Sequence, residues 1–182
     1  MNRPPRHSLI STAALASLLA LALPFTSAQA KAQAQAQQAT TGVRTEKNIS
    51  LDMANQIAAG AVAACAANGY NVAATVVDRA GTVRVVQRAD NAGPHTLASS
   101  ERKAWTSASA KNTTQAMMEG AQKNPAGANL VYLPGFLLLG GGVPIKVGNE
   151  VIGAVGVGGA PGGHLDEQCA TAGIDKVKEQ LK

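Results

Sequence analysis

The sequence predicts an α/β protein of the α+β type, with a mainly antiparallel, five-stranded sheet packed by helices. Three observations predict it. From Ser50 onward, helical and strand patterns follow in the order α-β-β-α-α-β-β-β-α. Most strands are joined by short turns rather than helical crossovers, which makes their pairing antiparallel. And once the N-terminal segments of the 182-residue chain are set aside, about 130 residues remain, the size of one domain.

Met1–Ala30 reads as a secretory signal. Arg3, Arg6 and His7 make a basic start, Leu9–Leu23 an apolar stretch, and Ala28-Gln29-Ala30 a small-x-small cleavage site. The apolar stretch falls short of the about 20 residues that a membrane span needs, so an uncleaved anchor is the weaker alternative and no stable membrane span is expected. The expected location is periplasmic or secreted, after cleavage near Ala30. Residues 31–49, rich in Ala and Gln, read as a low-complexity linker without a buried face, and the domain is expected over residues 50–182. Losing Arg3 and Arg6 lowers the formal net charge from +5 by two, to +3. With basic residues scattered and aromatics far apart, this is no nucleic-acid footprint.

Ser50 caps a predicted helix that runs to about Ala67, with Asp52 in the first turn where the dipole favours an anion. Met53, Ile57, Ala61 and Cys65 recur at a helical interval, and Asn68-Gly69 stops it. Asn71–Asp78, rich in Val, reads as a strand that returns through Arg79-Ala80-Gly81 into an alternating strand, Thr82–Arg88. "ADNAGPH" is a loop. A helix is expected over about Leu97–Asn112, with Ala98, Trp105 and Ala108 on one face, and a shorter one over Thr114–Lys123, ended by Asn124-Pro125. Phe136–Leu139, Val143–Val147 and Glu150–Val157 read as three short strands, the last two joined at Gly148-Asn149 by a two-residue hairpin. His164–Lys182 closes the chain as a helix with Leu165, Cys169, Ile174, Val177 and Leu181 on its apolar side. Cys65 and Cys169 invite a disulfide in an oxidising compartment, while a buried thiol is equally ordinary in a helical pattern.

The glycine-rich stretch Gly141–Gly173 raises the question of a phosphate cradle or a metal site. Most of its glycines have structural uses in turns, a hairpin and strand interiors. There is no GxxxxGK[ST], and "GAVGVGG" begins inside a strand rather than opening a helix, which argues against a dinucleotide site. His164, Asp166, Glu167 and Cys169 resemble a metal cluster, but two ligands from one helical turn do not close a site. The acids are read as charge matched to the helix start, with a ligand-facing role for His164 as the alternative.

A second polar constellation lies in "HTLASSERKAWTSASAKNT". Ser99, Arg102, Lys103 and Thr106 recur at steps of three or four, with His95 just before them. Such a ridge of hydroxyls and cations beside small side chains suits a flat anionic ligand; the alternative is a solvated helix face balanced by Glu101.

"ERKAWTSA" (Glu101–Ala108) followed by "LLLGGGVPIKVGNEVIGAVGVGGAPGGHLDEQCATAGI" (Leu137–Ile174) resembles the GlcG/HbpS-like, or haem-degrading domain, family. The matching motifs are Lys103-Ala104-Trp105-Thr106, with Ser107 where alanine is usual; Gly141-Gly142-Val143-Pro144; Gly153-Ala154-Val155-Gly156-Val157, with Gly158-Gly159 in place of serine-glycine; and Asp166-Glu167 with Cys169-Ala170. The resemblance covers roughly Ser50–Lys182. It implies a profilin-like antiparallel sheet packed by helices, assembly into homo-oligomers, and binding of haem or another planar tetrapyrrole by an exported protein, with haem degradation as a further activity. Two alternatives stand beside it: a corrinoid- or other small-ligand-binding module, and a non-catalytic oligomeric protein whose apolar "VYLPGFLLL" edge (Val131–Leu139) mediates assembly. By the same analogy the ligand surface holds Lys103 and Thr106. His95, and alternatively Thr106, are the candidate haem-iron ligands, Arg102 and Lys103 the partners of propionates, and His164 a further cofactor-binding candidate. With His95 and His164 far apart and no GxSxG, a hydrolase is not expected, and no flavin or nicotinamide site is visible.

Overall fold

The computed structural model describes residues 42–182, so the expected signal segment and most of the linker lie outside the described residues. A compact unit runs from Glu46 to Lys182. It takes in the end of the segment assigned to the linker, because Ile49 is buried in the core and its amide donates to Ile152 O at 3.0 Å. No helix among the described residues is long and apolar enough to cross a membrane.

Among the described residues, five α-helices and four strands follow in the order α1 (Leu51–Ala67), β1 (Ala73–Asp78), β2 (Val83–Arg88), α2 (His95–Ala110), α3 (Thr114–Lys123), the single turn α4 (Pro125–Ala128), β3 (Gly142–Val147), β4 (Glu150–Gly158) and α5 (Gly163–Asp175). The strands form one sheet in the order β2-β1-β4-β3 with every neighbour antiparallel. The two outer pairings are hairpins: Asp78 caps the β1–β2 turn by accepting the amides of Ala80 and Thr82, and Gly148 opens the β3–β4 turn at φ +59°; the central β1–β4 pair joins them.

The expected fifth strand is a correction: the sheet has four. Phe136–Leu139 is apolar enough for a strand, but half of its backbone groups are engaged elsewhere. Arg102 Nη2 donates to Phe136 O at 2.8 Å, Leu137 N to Thr106 Oγ1 at 2.9 Å, Thr114 Oγ1 to Leu139 O at 2.7 Å and Phe136 N to Leu133 O at 3.1 Å. These bonds hold the segment to helices and a turn rather than to a neighbouring strand. Two helix boundaries also differ. α2 begins at His95, two residues early, with no side-chain cap at Pro94; the Thr96 amide and hydroxyl both donate to Gly93 O. α5 stops at Asp175 and is followed by a 3₁₀ turn at Lys178–Gln180.

Helices cover both faces of the sheet. On one, α1 and α5 lie against Ala74, Val76, Ile145, Val155 and Val157, with Ile57, Ala61 and Ala170 filling the core. The two helices touch backbone to backbone: a Cβ on Gly173 would fall 2.5 Å from Ile57 O. One turn further, Cys65 and Cys169 are joined by a disulfide, their Cα atoms 5.4 Å apart. On the other face α2 packs Ala104 and Ala108 onto Val77 and Ala154.

Candidate functional site

α2 carries the polar constellation, and its position on the sheet sorts those residues. It lies unusually near β4, because a Cβ on Gly156 would stand 2.5 Å from Ala104 N. Thr96, Ser100, Lys103, Ala104 and Ser107 therefore point inward and are buried. The Ser100 and Thr75 hydroxyls pair at 2.8 Å across this interface, which satisfies two groups that water does not reach.

Lys103 is 1 % exposed. Its ammonium donates to Asp166 Oδ2 at 2.7 Å and to Val157 O at 2.9 Å. The other carboxylate oxygen, Asp166 Oδ1, accepts the amide of Ala160 at 3.0 Å. Burial pushes the Asp166 carboxyl up, and Lys103 with the amides of Ala160 and Gly159 pulls the other way. The pair ties α2 to the end of β4 and the start of α5. Gly141 roofs it: at φ +119° it holds a conformation that side chains avoid, and a Cβ there would sit 2.7 Å from Asp166 Cβ and 3.1 Å from Lys103 Nζ.

The single ridge expected from the spacing is therefore divided. Lys103 is turned inward, while His95, Ser99, Arg102 and Thr106 share one flank of α2 at steps of four, three and four. The C-terminal half of that flank is closed by Phe136–Leu137, through the bonds from Arg102 and to Thr106 described above. Thr106 is buried with its hydroxyl so engaged, whereas Arg102 stays exposed. Trp105 braces the segment, meeting Phe136 edge to face with ring centroids 5.7 Å apart. The N-terminal half is open: His95 is exposed and Ser99 half-buried, and on the neighbouring segment Phe136, Leu137 and Leu138 are half-buried and Leu139 exposed.

His164 lies elsewhere. It is exposed on the first turn of α5, at the rim of a cleft of about 440 Å³ whose other walls are Gln115, Glu167, Gln168, Thr171, Ala172 and Asp175. No ridge residue lines this cleft. Cys169 is bound in the disulfide, and among the described residues no three His, Cys, Asp or Glu side chains converge on a metal position. Burial also pushes the Glu167 carboxyl up, against the backbone amides of Gln115 and Gly141 and the hydroxyl of Thr113. Sequence reasoning missed two features here: Asp166 as the partner of Lys103, and Gln115 opposite Glu167. Nothing in linear spacing connects residues that lie 63 positions apart, as the first pair does.

The family described as "Haem degrading protein HbpS-like" matches residues 49–175. Protein GlcG of Escherichia coli strain K12 is 32 % identical over 115 residues, 63 % of this chain and 84 % of that protein. Among solved structures, a double mutant of HbpS from Streptomyces reticuli superposes with a TM-score of 0.70 at 36 % identity, covering 75 % of this chain and 92 % of the other. Protein ORFY of Klebsiella pneumoniae gives a TM-score of 0.68 at 30 % identity, with 75 % and 94 % covered.

Proposed function

The chain belongs to the HbpS-like family, and on that premise we propose that it binds haem along the outer α2 flank between His95 and Arg102. The observation that carries the proposal is the joint exposure of His95 and Arg102 on one flank of α2, about 10 Å apart along the helix axis, with Arg102 bonded to the apolar segment Phe136–Leu139. The donor set fits the group. Imidazole is a common axial donor to haem iron, the exposed Arg102 guanidinium keeps N–H donors for a propionate beyond the one given to Phe136 O, and the leucines offer apolar area to a planar ring.

His95 is the iron-ligand candidate on this reading. Thr106, the other candidate, already accepts the Leu137 amide and serves by holding Phe136–Leu139 beside the ridge. Lys103, committed to Asp166, acts as an anchor rather than a propionate partner, and His164 belongs to a separate cleft. Bound haem would supply the iron and oxygen chemistry of any degradation; this chain's residues bind and orient.

The same proposal includes export and self-assembly. Arg3, Arg6 and the apolar Leu9–Leu23 support export, as does the Cys65–Cys169 disulfide, a bond at home in oxidising compartments. Assembly is supported by Val131, Tyr132 and Leu133, which present adjacent apolar side chains to solvent, Tyr132 being 81 % exposed.

A haemin titration tests the binding. The purified protein should shift the Soret band saturably, His95→Ala should weaken binding at least tenfold and change the shape of the spectrum, and Arg102→Ala should weaken it less. A parallel titration with cobalamin should produce no saturable change. The proposal fails if wild type leaves the haemin spectrum unaltered, or if His95→Ala and Arg102→Ala both bind as wild type does.

A further inference from the structure

The sheet has two outer edges, β2 and β3, and they are finished differently. The β3 edge is closed. Pro144 has no N–H to offer a further strand, and the Gly142 amide donates to Thr114 Oγ1 at 2.8 Å. β2 contains no proline, and among the described residues no strand lies beyond it. The Ala89 amide donates to Val72 O at 2.9 Å. Strand alternation carries that pairing on to Gln87 opposite Ala74 and Val85 opposite Val76. The amides and carbonyls of Val86 and Arg88 therefore point away from β1, and no hydrogen bond among the described residues engages them from that side.

The side chains of this edge are open as well. α2 lies over β1, where Ser100 meets Thr75, and Val86 stands beside Thr75 one strand further out. The helix thus stops covering the sheet before β2. Val86 is 45 % exposed, and Arg84 and Arg88 are exposed on either side of it along the strand. Arg88 bonds only the Ala92 carbonyl, and Arg84 makes no hydrogen bond or ion pair. The nearest acids along the chain neutralise neither: Asp78 accepts the amides of Ala80 and Thr82, and Asp90 has no bond to Arg88.

A free strand edge accepts an extended chain, and its charges decide which. A second copy of β2 laid antiparallel about Val86 would set Arg84 against Arg88 twice over, which like charges oppose. A strand with an acid on either side of an apolar residue reverses both signs. Its carboxylates meet the two guanidinium groups, its central side chain covers Val86, and its main chain takes up the free amides and carbonyls.

We propose that the β2 edge binds an extended acidic segment of a partner protein, which joins the sheet as a fifth strand. The surface includes neither His95 nor Arg102, so it stands or falls independently of haem binding.

The test uses the capped peptide Thr-Glu-Thr-Val-Thr-Glu-Thr as the probe, read from amide NMR shifts of the purified protein. It should shift the Val83–Arg88 amides saturably, and less tightly as salt is added. The same peptide with lysine in place of both glutamates should produce no saturable shift, and nor should one N-methylated at its valine, which cannot complete the ladder. Arg84→Glu breaks no bond in the fold and should weaken the probe at least tenfold. Arg84→Glu with Arg88→Glu should reverse the preference, so that the lysine peptide binds and the glutamate peptide does not. The proposal is overturned if the probe gives no saturable shift, if the lysine or N-methylated peptide binds wild type equally well, or if Arg84→Glu binds as wild type does. Shifts of the β2 amides with protein concentration alone would assign the edge to a second copy and overturn it too.

Discussion

Replacing Lys103 with methionine is the sharpest test of how α2 is used. The side chains of Lys103 and Asp166 retain only 2 % and 4 % of their exposure, so neither ion has water to fall back on. Methionine fills most of the volume but removes two hydrogen bonds, stranding Asp166 Oδ2 and Val157 O. Breaking one partner out of a buried pair costs about 3–5 kcal/mol, a large part of the about 5–15 kcal/mol that holds a domain folded. Asp166→Leu should cost a similar amount by leaving the ammonium unneutralised. The double variant Lys103→Met with Asp166→Leu removes both charges and should recover part of the loss, leaving the Val157 carbonyl and the Ala160 amide unpaired at about 1–3 kcal/mol each. Urea unfolding followed by far-UV circular dichroism on the four forms gives the coupling energy directly. If Lys103→Met costs under about 1 kcal/mol, or lowers haemin affinity without lowering stability, the ammonium is free to leave Asp166 and the anchoring argument is wrong.

The disulfide closes 104 positions of chain between α1 and α5. Loop-closure entropy puts its contribution at about 4–5 kcal/mol, so Cys65→Ala with Cys169→Ala should lower the urea midpoint sharply and make it insensitive to reductant; equal midpoints with and without the bond would refute the clamp. Glycines should divide by location. Gly156→Ala drives a methyl against Ala104 N and Ser100 O and should cost at least about 1–3 kcal/mol, whereas Gly120→Ala, exposed within α3 with nothing near its Cβ, should gain about 0.5–1 kcal/mol. Thermal melts that rank the two variants the other way would contradict the packing of α2.

Much of the fold was legible in the sequence because local chemistry and tertiary role agreed. The Ser50 cap accepts the Met53 amide as its position implies, α3 occupies the span Thr114–Lys123 that its threonine and Asn124-Pro125 mark out, and both hairpins carry their turn residues. The family resemblance, too, rested on motifs that the match over residues 49–175 contains. The fifth strand failed for a reason local patterns do not encode. An apolar run such as Phe136–Leu139 becomes a strand only when a partner edge is available, and here hydroxyls and a guanidinium from two helices reach its backbone first.

The ridge shows a different kind of ambiguity. Steps of three and four define a helical stripe but not which stripe meets the sheet. Lys103 satisfied the spacing of the outer flank through Ser99 and Thr106. It also stands three residues after Ser100 and four before Ser107, within the row of small side chains that lets α2 approach Gly156. Small residues mark the face of closest packing, so a lysine among them must reach a buried anion. The glycine-flanked stretch after β4 offers two acids, Asp166 and Glu167. Gly141 leaves room above the first alone: its missing side chain is what allows an ammonium and a carboxylate to meet beneath the backbone. The glycines that suggested a phosphate cradle therefore serve the opposite polarity. They create space for an internal ion pair, and in fixing α2 on the sheet that pair determines which flank, with His95 and Arg102, is left facing outward.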